Sequence, residues 1–242
     1  MNNIIKLVGV ISTLSMMLMG CNNNKKPSEG DKSPTGTITP QEVKIACIGD
    51  SLTYGHAWHN ESYPVYLQEK LKSDYKVENF GINGVSITGY GGSWNNYECR
   101  YLKQSELTRC IEYKPDIIFI MLGSNDANNW NSARTIYKDE YNALLDKLFD
   151  ELGDIEIVIM TSLPTVDGNS FNIPSAKITN DVVPLQKEVA DDYNLDIIDT
   201  NQYFRDKKGD EFKKLYRDDG VHLSIEGAKY LANYLADYID NN

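Results

Sequence analysis

From Val43 to the C-terminus, short apolar runs alternate with longer amphipathic stretches, and this alternation constrains the fold more than any other feature of the chain. An apolar run of about six residues is too short for a buried helix, but it suits a strand covered on both faces. Candidate strands span 43–48, 75–80, 117–122, 155–160 and 195–199. Between them, Tyr63–Leu71, Tyr97–Glu112, Arg134–Leu152 and Asp181–Tyr193 carry helical spacing, most clearly at Tyr137, Tyr141, Leu144, Leu145, Leu148 and Leu152. Ser224 reads as the N-cap of a last helix that turns Leu231, Leu235 and Ile239 inward. Strands that alternate with helices build parallel β-α-β units. The expected fold is α/β, a three-layer α/β/α sandwich around a mainly parallel five-stranded sheet. A flavodoxin-like strand order fits, although periodicity alone leaves the order open. In such sheets ligands bind beyond the carboxyl ends of the strands.

The first 42 residues read differently. Lys6 gives a positive start and Leu7–Met19 is almost wholly apolar, which is a signal-peptide pattern. The run falls short of the roughly 20 residues that span a bilayer. It ends in Leu18-Met19-Gly20-Cys21, which resembles a bacterial lipobox and implies cleavage before Cys21 and lipid on that residue. An ordinary secretory signal with an incidental Cys is the alternative. Residues 22–42 are rich in Asn, Lys, Ser, Pro, Gly and Thr, with Ile38 the single large aliphatic side chain, so they bury too little to offset their ordering entropy. The expected organisation is a signal peptide at 1–20, a lipidated Cys21 and flexible linker at 21–42, and one folded domain at 43–242. The expected location is the bacterial cell envelope, with membrane contact only through the anchor.

A formal charge of −11 works against phosphate-rich partners, so nucleic acids and anionic membrane surfaces are poor candidates. Export permits disulfides, and Cys99 with Cys110 is the candidate pair. Eleven helical residues at about 1.5 Å each would hold the two about 16 Å apart. A bridge needs Cα atoms within about 7 Å. Free thiols are therefore expected, with Cys47 a small core residue in a strand.

Chemically capable residues fall at the strand ends. After the first strand comes Gly49-Asp50-Ser51-Leu52-Thr53. A serine on a strand-to-helix turn is exposed at the sheet edge beside helix N-terminal amides; the same string also makes an ordinary turn and N-cap. After the second strand, Asn79-Phe80-Gly81-Ile82-Asn83-Gly84 places the Gly84 amide where it could donate to an oxyanion. After the third, Gly123-Ser124-Asn125-Asp126 presents an Asn side-chain amide. Both stretches are equally good turn formers. Near the C-terminus, Asp219 and His222 stand three apart in Asp218-Asp219-Gly220-Val221-His222-Leu223. A nucleophilic serine needs a base, and the base needs a carboxylate to fix its tautomer. His56 and His59, the other histidines, have no carboxylate at that spacing.

In order and spacing these four motifs resemble the SGNH hydrolase family, also called GDSL esterases and lipases, from about Lys44 to the C-terminal helix. The resemblance implies a serine esterase with Ser51 as nucleophile, His222 as base, Asp219 as its orienting carboxylate, and an oxyanion hole of Ser51, Gly84 and Asn125. It implies no cofactor and no metal. Bacterial members that remove acetyl groups from glycans are the most similar, so the expected substrate is a small or glycan ester, its acyl group short. Asp50 joins the expected substrate-binding residues, as do Trp58, Trp94 and Trp130, each of which follows a motif. Aromatic faces suit sugar rings, and neighbouring polar residues such as His59, Asn60, Asn95, Asn96, Asn128 and Asn129 suit hydroxyls; tryptophans equally fill gaps beneath long loops. A lysophospholipase or general short-chain carboxylesterase is the runner-up. A non-catalytic glycan-binding lipoprotein and an acyltransferase stay open behind it.

Overall fold

The computed structural model describes residues 42–56, 59–91 and 96–242. The expectations for the signal peptide, Cys21 and the linker lie outside the described residues, as do those for Trp58 and Trp94. Five strands, β1 (Val43–Gly49), β2 (Tyr75–Gly81), β3 (Ile117–Met121), β4 (Glu156–Met160) and β5 (Asp196–Ile198), form one sheet. Every pairing is parallel and the order is β2-β1-β3-β4-β5, the flavodoxin-like order.

Both faces of this sheet are covered. Along β1, Ile45 and Cys47 pack to one side and Ala46 and Ile48 to the other, all fully buried. A strand with no solvent side needs no polar alternation, which is why these segments read as unbroken apolar runs. The helices Ser105–Tyr113, Tyr137–Leu152 and Val183–Tyr193 supply the core on the Ile48 side. Tyr63–Leu71 and Ile225–Asp240 supply it on the Cys47 side. Each fully buried leucine, such as Leu67, Leu148 or Leu231, contributes roughly 1.5–3 kcal/mol. The last helix begins as expected, with Ser224 Oγ accepting the Gly227 amide at 3.1 Å.

Three helical expectations need correction. The stretch read as one helix over Tyr97–Glu112 is broken into 3-10 turns at Tyr97–Cys99 and Tyr101–Lys103, and the α-helix starts at Ser105. The break has a tertiary cause. Arg100 is extended (φ −70°, ψ 138°), because the Ser86 amide donates to Cys99 O and the Tyr101 amide donates to Ser86 O. The Arg100 guanidinium is buried against Glu140. The helix expected from Arg134 starts at Tyr137, after a separate turn at Trp130–Ala133, because Ile136 (φ −122°) interrupts it. The helix expected from Asp181 starts at Val183, behind a π-turn at Ile178–Val182. Pro184, which has no amide hydrogen, removes a bond of a regular first turn. Cys47, Cys99 and Cys110 are all unpaired, as expected, although the helix invoked to separate the last two is not continuous.

Connections leave β1 and β3 in opposite directions, toward β2 and toward β4, so a crevice opens beyond the carboxyl ends of these neighbours. Ser51 follows β1 and Asn125 follows β3.

Candidate active site

Ser51 opens a one-turn helix, Ser51–Tyr54, capped by Asp50 Oδ1, which accepts the Leu52 amide at 2.9 Å. This turn presses against the end of β2. A Cβ on Gly81 would lie 2.2 Å from Tyr54 N, so only glycine fits there. The serine is thereby fixed at the sheet edge, 8% exposed.

The C-terminal loop brings its partners across 171 residues of chain. Asp219 Oδ1 accepts the Val221 and His222 amides, each at 2.8 Å, and Oδ2 takes the His222 Nδ1 hydrogen bond at 2.8 Å. His222 Nε2 stands 3.0 Å from Ser51 Oγ. Burial alone would raise the Asp219 carboxyl, but the hydrogen bonds from Val221 and His222 outweigh it and hold the group below its usual 3.8. An ionised carboxylate only accepts, so Nδ1 carries the hydrogen and Nε2 is left to accept from the serine hydroxyl. Burial dominates at His222 itself and lowers its pKa below 6.5 despite Asp219, which keeps the imidazole neutral near pH 7.

Two further rings pack against that imidazole. His56, at φ +45°, stacks on it with ring centres 3.9 Å apart and planes within 10°. Phe171 meets it edge-on at 5.1 Å and 89°. The loop carrying Phe171 is tied to the Asp219 loop by the Ser170 amide on Asp219 O and the Val166 amide on Gly220 O.

The opposite wall comes from the loops after β2 and β3. Gly84 adopts φ +72°, a conformation that suits glycine, and lines the cavity beside Ser51. Asn125 is 7% exposed, and one hydrogen of its side-chain amide is spent on Val85 O at 2.8 Å, which aims the other. The resulting cavity of about 180 Å³ is lined by Ser51, His56, Asn83, Gly84, Asn125, Asn128, Phe171, Ile173, Val221 and His222.

Ser51, Gly84, Asn125, Asp219 and His222 thus converge as the motifs require. Two expected substrate-binding residues do not. Asp50 is 2% exposed beneath the nucleophile turn, where desolvation pushes its pKa up to about 7, and it acts as a helix cap. Trp130 is 6% exposed in the core, edge-on to Tyr137, because the 3-10 turn Asp126–Asn129 rolls it inward. Of the polar residues expected as hydroxyl partners, Asn128 lines the cavity, Asn60, Asn96 and Asn129 do not, and Asn95 and the side chain of His59 lie outside what the structure describes. Sequence reasoning missed His56, Phe171 and Ile173. The one available signal was an aromatic, Phe171, standing alone in a loop of Gly, Asn and Ser.

A serine, an imidazole and a carboxylate in one hydrogen-bonded line, at the carboxyl edge of a parallel sheet, is the arrangement of serine hydrolases. Residues 47–230 match the GDSL-like lipase/acylhydrolase family, well over half of the chain. The chain belongs to that family, whose members are carboxylic ester hydrolases. It is 28% identical over 220 residues to an acetylxylan esterase of Xylanibacter ruminicola, which covers 80% of this chain and 42% of that protein. The chain therefore spans less than half the length of that relative. The fold is shared with a lipase/acylhydrolase of Enterococcus faecalis (TM-score 0.60, 24% identity, 82% of this chain and 96% of that one). A carbohydrate acetylesterase family member of Sinorhizobium meliloti has it too (TM-score 0.60, 21% identity, 81% and 97%).

Proposed function

We propose that this chain is a serine esterase that removes short acyl groups, acetyl foremost, from carbohydrate hydroxyls. The observation that carries the reading is the Asp219–His222–Ser51 line facing Gly84 and Asn125 across a cavity of only about 180 Å³. Sites that enclose a drug-sized ligand run to roughly 300–1,000 Å³. An acetyl group suits the smaller space, and the polar rim of Asn83 and Asn128 suits a sugar better than a lipid. An acetylxylan esterase among its sequence relatives and a carbohydrate acetylesterase family member among its structural neighbours point the same way.

In the proposed mechanism Ser51 Oγ attacks the ester carbonyl carbon as its proton passes to His222 Nε2. The oxyanion takes hydrogen bonds from the Ser51 amide, the Gly84 amide and Asn125 Nδ2. Collapse breaks the bond to the alkoxy oxygen, which receives the proton from His222 and leaves as the sugar hydroxyl. Water then attacks the acyl-Ser51 ester with His222 again as base, releasing acetate and restoring the serine. Asp219 keeps Nδ1 protonated throughout and stabilises the transient imidazolium.

The test is acetate release from acetylated xylan beside esters of increasing acyl length, with Ser51→Ala as control. Preferential release from the glycan that vanishes in the variant is expected. Preference for long acyl chains would move the function to lipids, and activity that survives Ser51→Ala would overturn the nucleophile. We further propose that Cys21 carries a lipid anchor in the cell envelope, on the strength of Leu18-Met19-Gly20-Cys21. Cys21→Ala should shift the protein from the membrane fraction to the soluble one, and an unchanged distribution would refute it.

A further inference from the structure

The geometry points to a second binding site, for a carboxylate-bearing sugar, in a groove that shares a wall with the catalytic cavity. The groove has a volume of about 490 Å³, larger than the catalytic cavity. Arg205, Lys207, Lys208 and Lys213 line it, against a single carboxylate, Asp167. Acidic residues outnumber basic ones 35 to 24 in the chain, so this lining inverts the overall balance. None of the four cations forms an ion pair among the described residues. Of the acids beside them, Asp206 accepts from Gln202, and Glu211 pairs with Lys214 while its charge also acts on Lys207. The Lys208 ammonium is turned back onto Arg205 O, while Lys207 lies over the Tyr230 ring.

Shape and position select the occupant. Pro164, Val166 and Phe212 give the groove apolar contacts, and an aromatic face suits the C–H face of a sugar. A guanidinium forks onto a carboxylate in two parallel hydrogen bonds, which favours a uronate over a neutral ring. A part-apolar recess of this volume, open to solvent, accepts a sugar ring laid into it. The wall itself is the 164–175 segment. Pro164, Thr165 and Val166 face the groove, whereas Phe171 and Ile173 face the catalytic cavity. Asn169 closes this segment on itself, donating to Thr165 Oγ1, Val166 O and Ile173 O and accepting from the Phe171 and Ile173 amides. Five residue steps separate Val166 from Phe171, so their Cα atoms lie at most about 18 Å apart. One glycan can therefore present an ester to Ser51 and an acidic substituent to the groove. The inference rests on the reading of the substrate as a carbohydrate, and it adds that the preferred carbohydrate is acidic.

Direct binding separates the groove from the chemistry. We would titrate the whole chain with non-acetylated, glucuronate-bearing xylo-oligosaccharides and with neutral xylo-oligosaccharides, at low and high salt, beside the double variant Arg205→Glu, Lys213→Glu. The wild type should bind the acidic oligosaccharide at least about tenfold tighter than the neutral one, and the double variant should lose that preference, as should high salt. Hydrolysis of p-nitrophenyl acetate should be the same in both proteins, which certifies the fold of the variant. Equal binding of acidic and neutral oligosaccharides by the wild type overturns the groove, whatever the esterase assays give. Loss of binding to anionic phospholipid vesicles in the variant, with uronate binding intact, overturns it in favour of a membrane contact. If uronate binding holds but no glycan ester is cleaved, the groove stands and the substrate reading fails.

Discussion

Asp219→Asn tests the proton relay with the least disturbance to packing. Asp219 Oδ1 accepts two backbone amides, from Val221 and His222. The asparagine oxygen must occupy that position, because an NH₂ group there would face two donors. Turning the amide over would forfeit both bonds and set donors against each other, at about 1–3 kcal/mol for each unsatisfied group. The NH₂ group is therefore forced to the Oδ2 position, 2.8 Å from His222 Nδ1 in the parent. Nδ1 becomes an acceptor, the ring hydrogen moves to Nε2, and Nε2 can no longer take the proton of Ser51. A wrong tautomer of this kind costs about 10⁴ in kcat, or roughly 5 kcal/mol of barrier. The assay is burst-free initial-rate hydrolysis of p-nitrophenyl acetate, with thermal melting to show that the fold is kept. Ring nitrogen chemical shifts report the tautomer independently. A variant that melts like the parent, and keeps kcat within tenfold of it, would refute the reasoning.

Three other outcomes follow from the same geometry. Asn125→Ala removes a proposed oxyanion donor and should lower kcat about 100- to 1000-fold; it also strands Val85 O, so melting should fall by the equivalent of about 1–3 kcal/mol, and full activity would remove Asn125 from the mechanism. The acid limb of kcat/KM should have its midpoint below 6.5, since desolvation disfavours the imidazolium of His222; a midpoint above 6.5 would contradict a desolvated base. Asp50 holds its proton up to about pH 7 in the folded chain but only to about 3.8 when unfolded, so its ionisation erodes stability as pH rises through that window. Asp50→Asn keeps the oxygen that caps Leu52 and removes the loss, a gain of up to roughly 4 kcal/mol. Its Tm advantage over the parent should widen from pH ~4 to ~8, and parallel curves would count against the buried charge.

The sheet was legible because burial on both faces leaves a local signature. β1, β3 and β4 read as apolar runs whichever strand they neighbour, and their expected limits hold to within a residue. The break at Arg100 left no such trace. It depends on Ser86 and Glu140, 14 and 40 residues away, and helical propensity on either side argues for continuity. The π-turn before Val183 was half legible, since Pro184 announces a missing donor but not how the preceding turn will widen.

At the site, residues that act at strand ends were legible and residues that act on one another were not. Ser51, Gly84 and Asn125 follow β1, β2 and β3, so the topology alone delivers them to one edge. The tryptophans drew the inference that closeness in sequence to a motif means closeness to the cleft. Trp130 shows why that fails: five residues past Asn125, one 3-10 turn suffices to point the ring into the core. His56 and Phe171 are the converse: neither belongs to a motif, and only the isolation of Phe171 among Gly, Asn and Ser marks it, yet both touch the imidazole of His222.

The loops after β2 and β3 act as one body. Asp126 is fully buried, and its carboxylate accepts the Ile87 amide at 3.0 Å, the Thr88 amide at 2.9 Å and the Thr88 hydroxyl at 2.6 Å. Asn125 adds its bond to Val85 O from the adjacent position. The segment that begins at Gly84 is thereby fastened at Val85, Ile87 and Thr88 by two consecutive residues of the β3 loop. Burial pushes the Asp126 carboxyl up, and the three hydrogen bonds pull it back, so the cost of desolvating this group is offset only while the β2 loop stays in place. Two of the three proposed oxyanion donors, Gly84 and Asn125, are therefore held at a fixed separation by the bonds between the loops that carry them. Preorganisation of this sort is what electrostatic stabilisation of a transition state demands, because donors that had to reorient during the reaction would return much of the energy they supply.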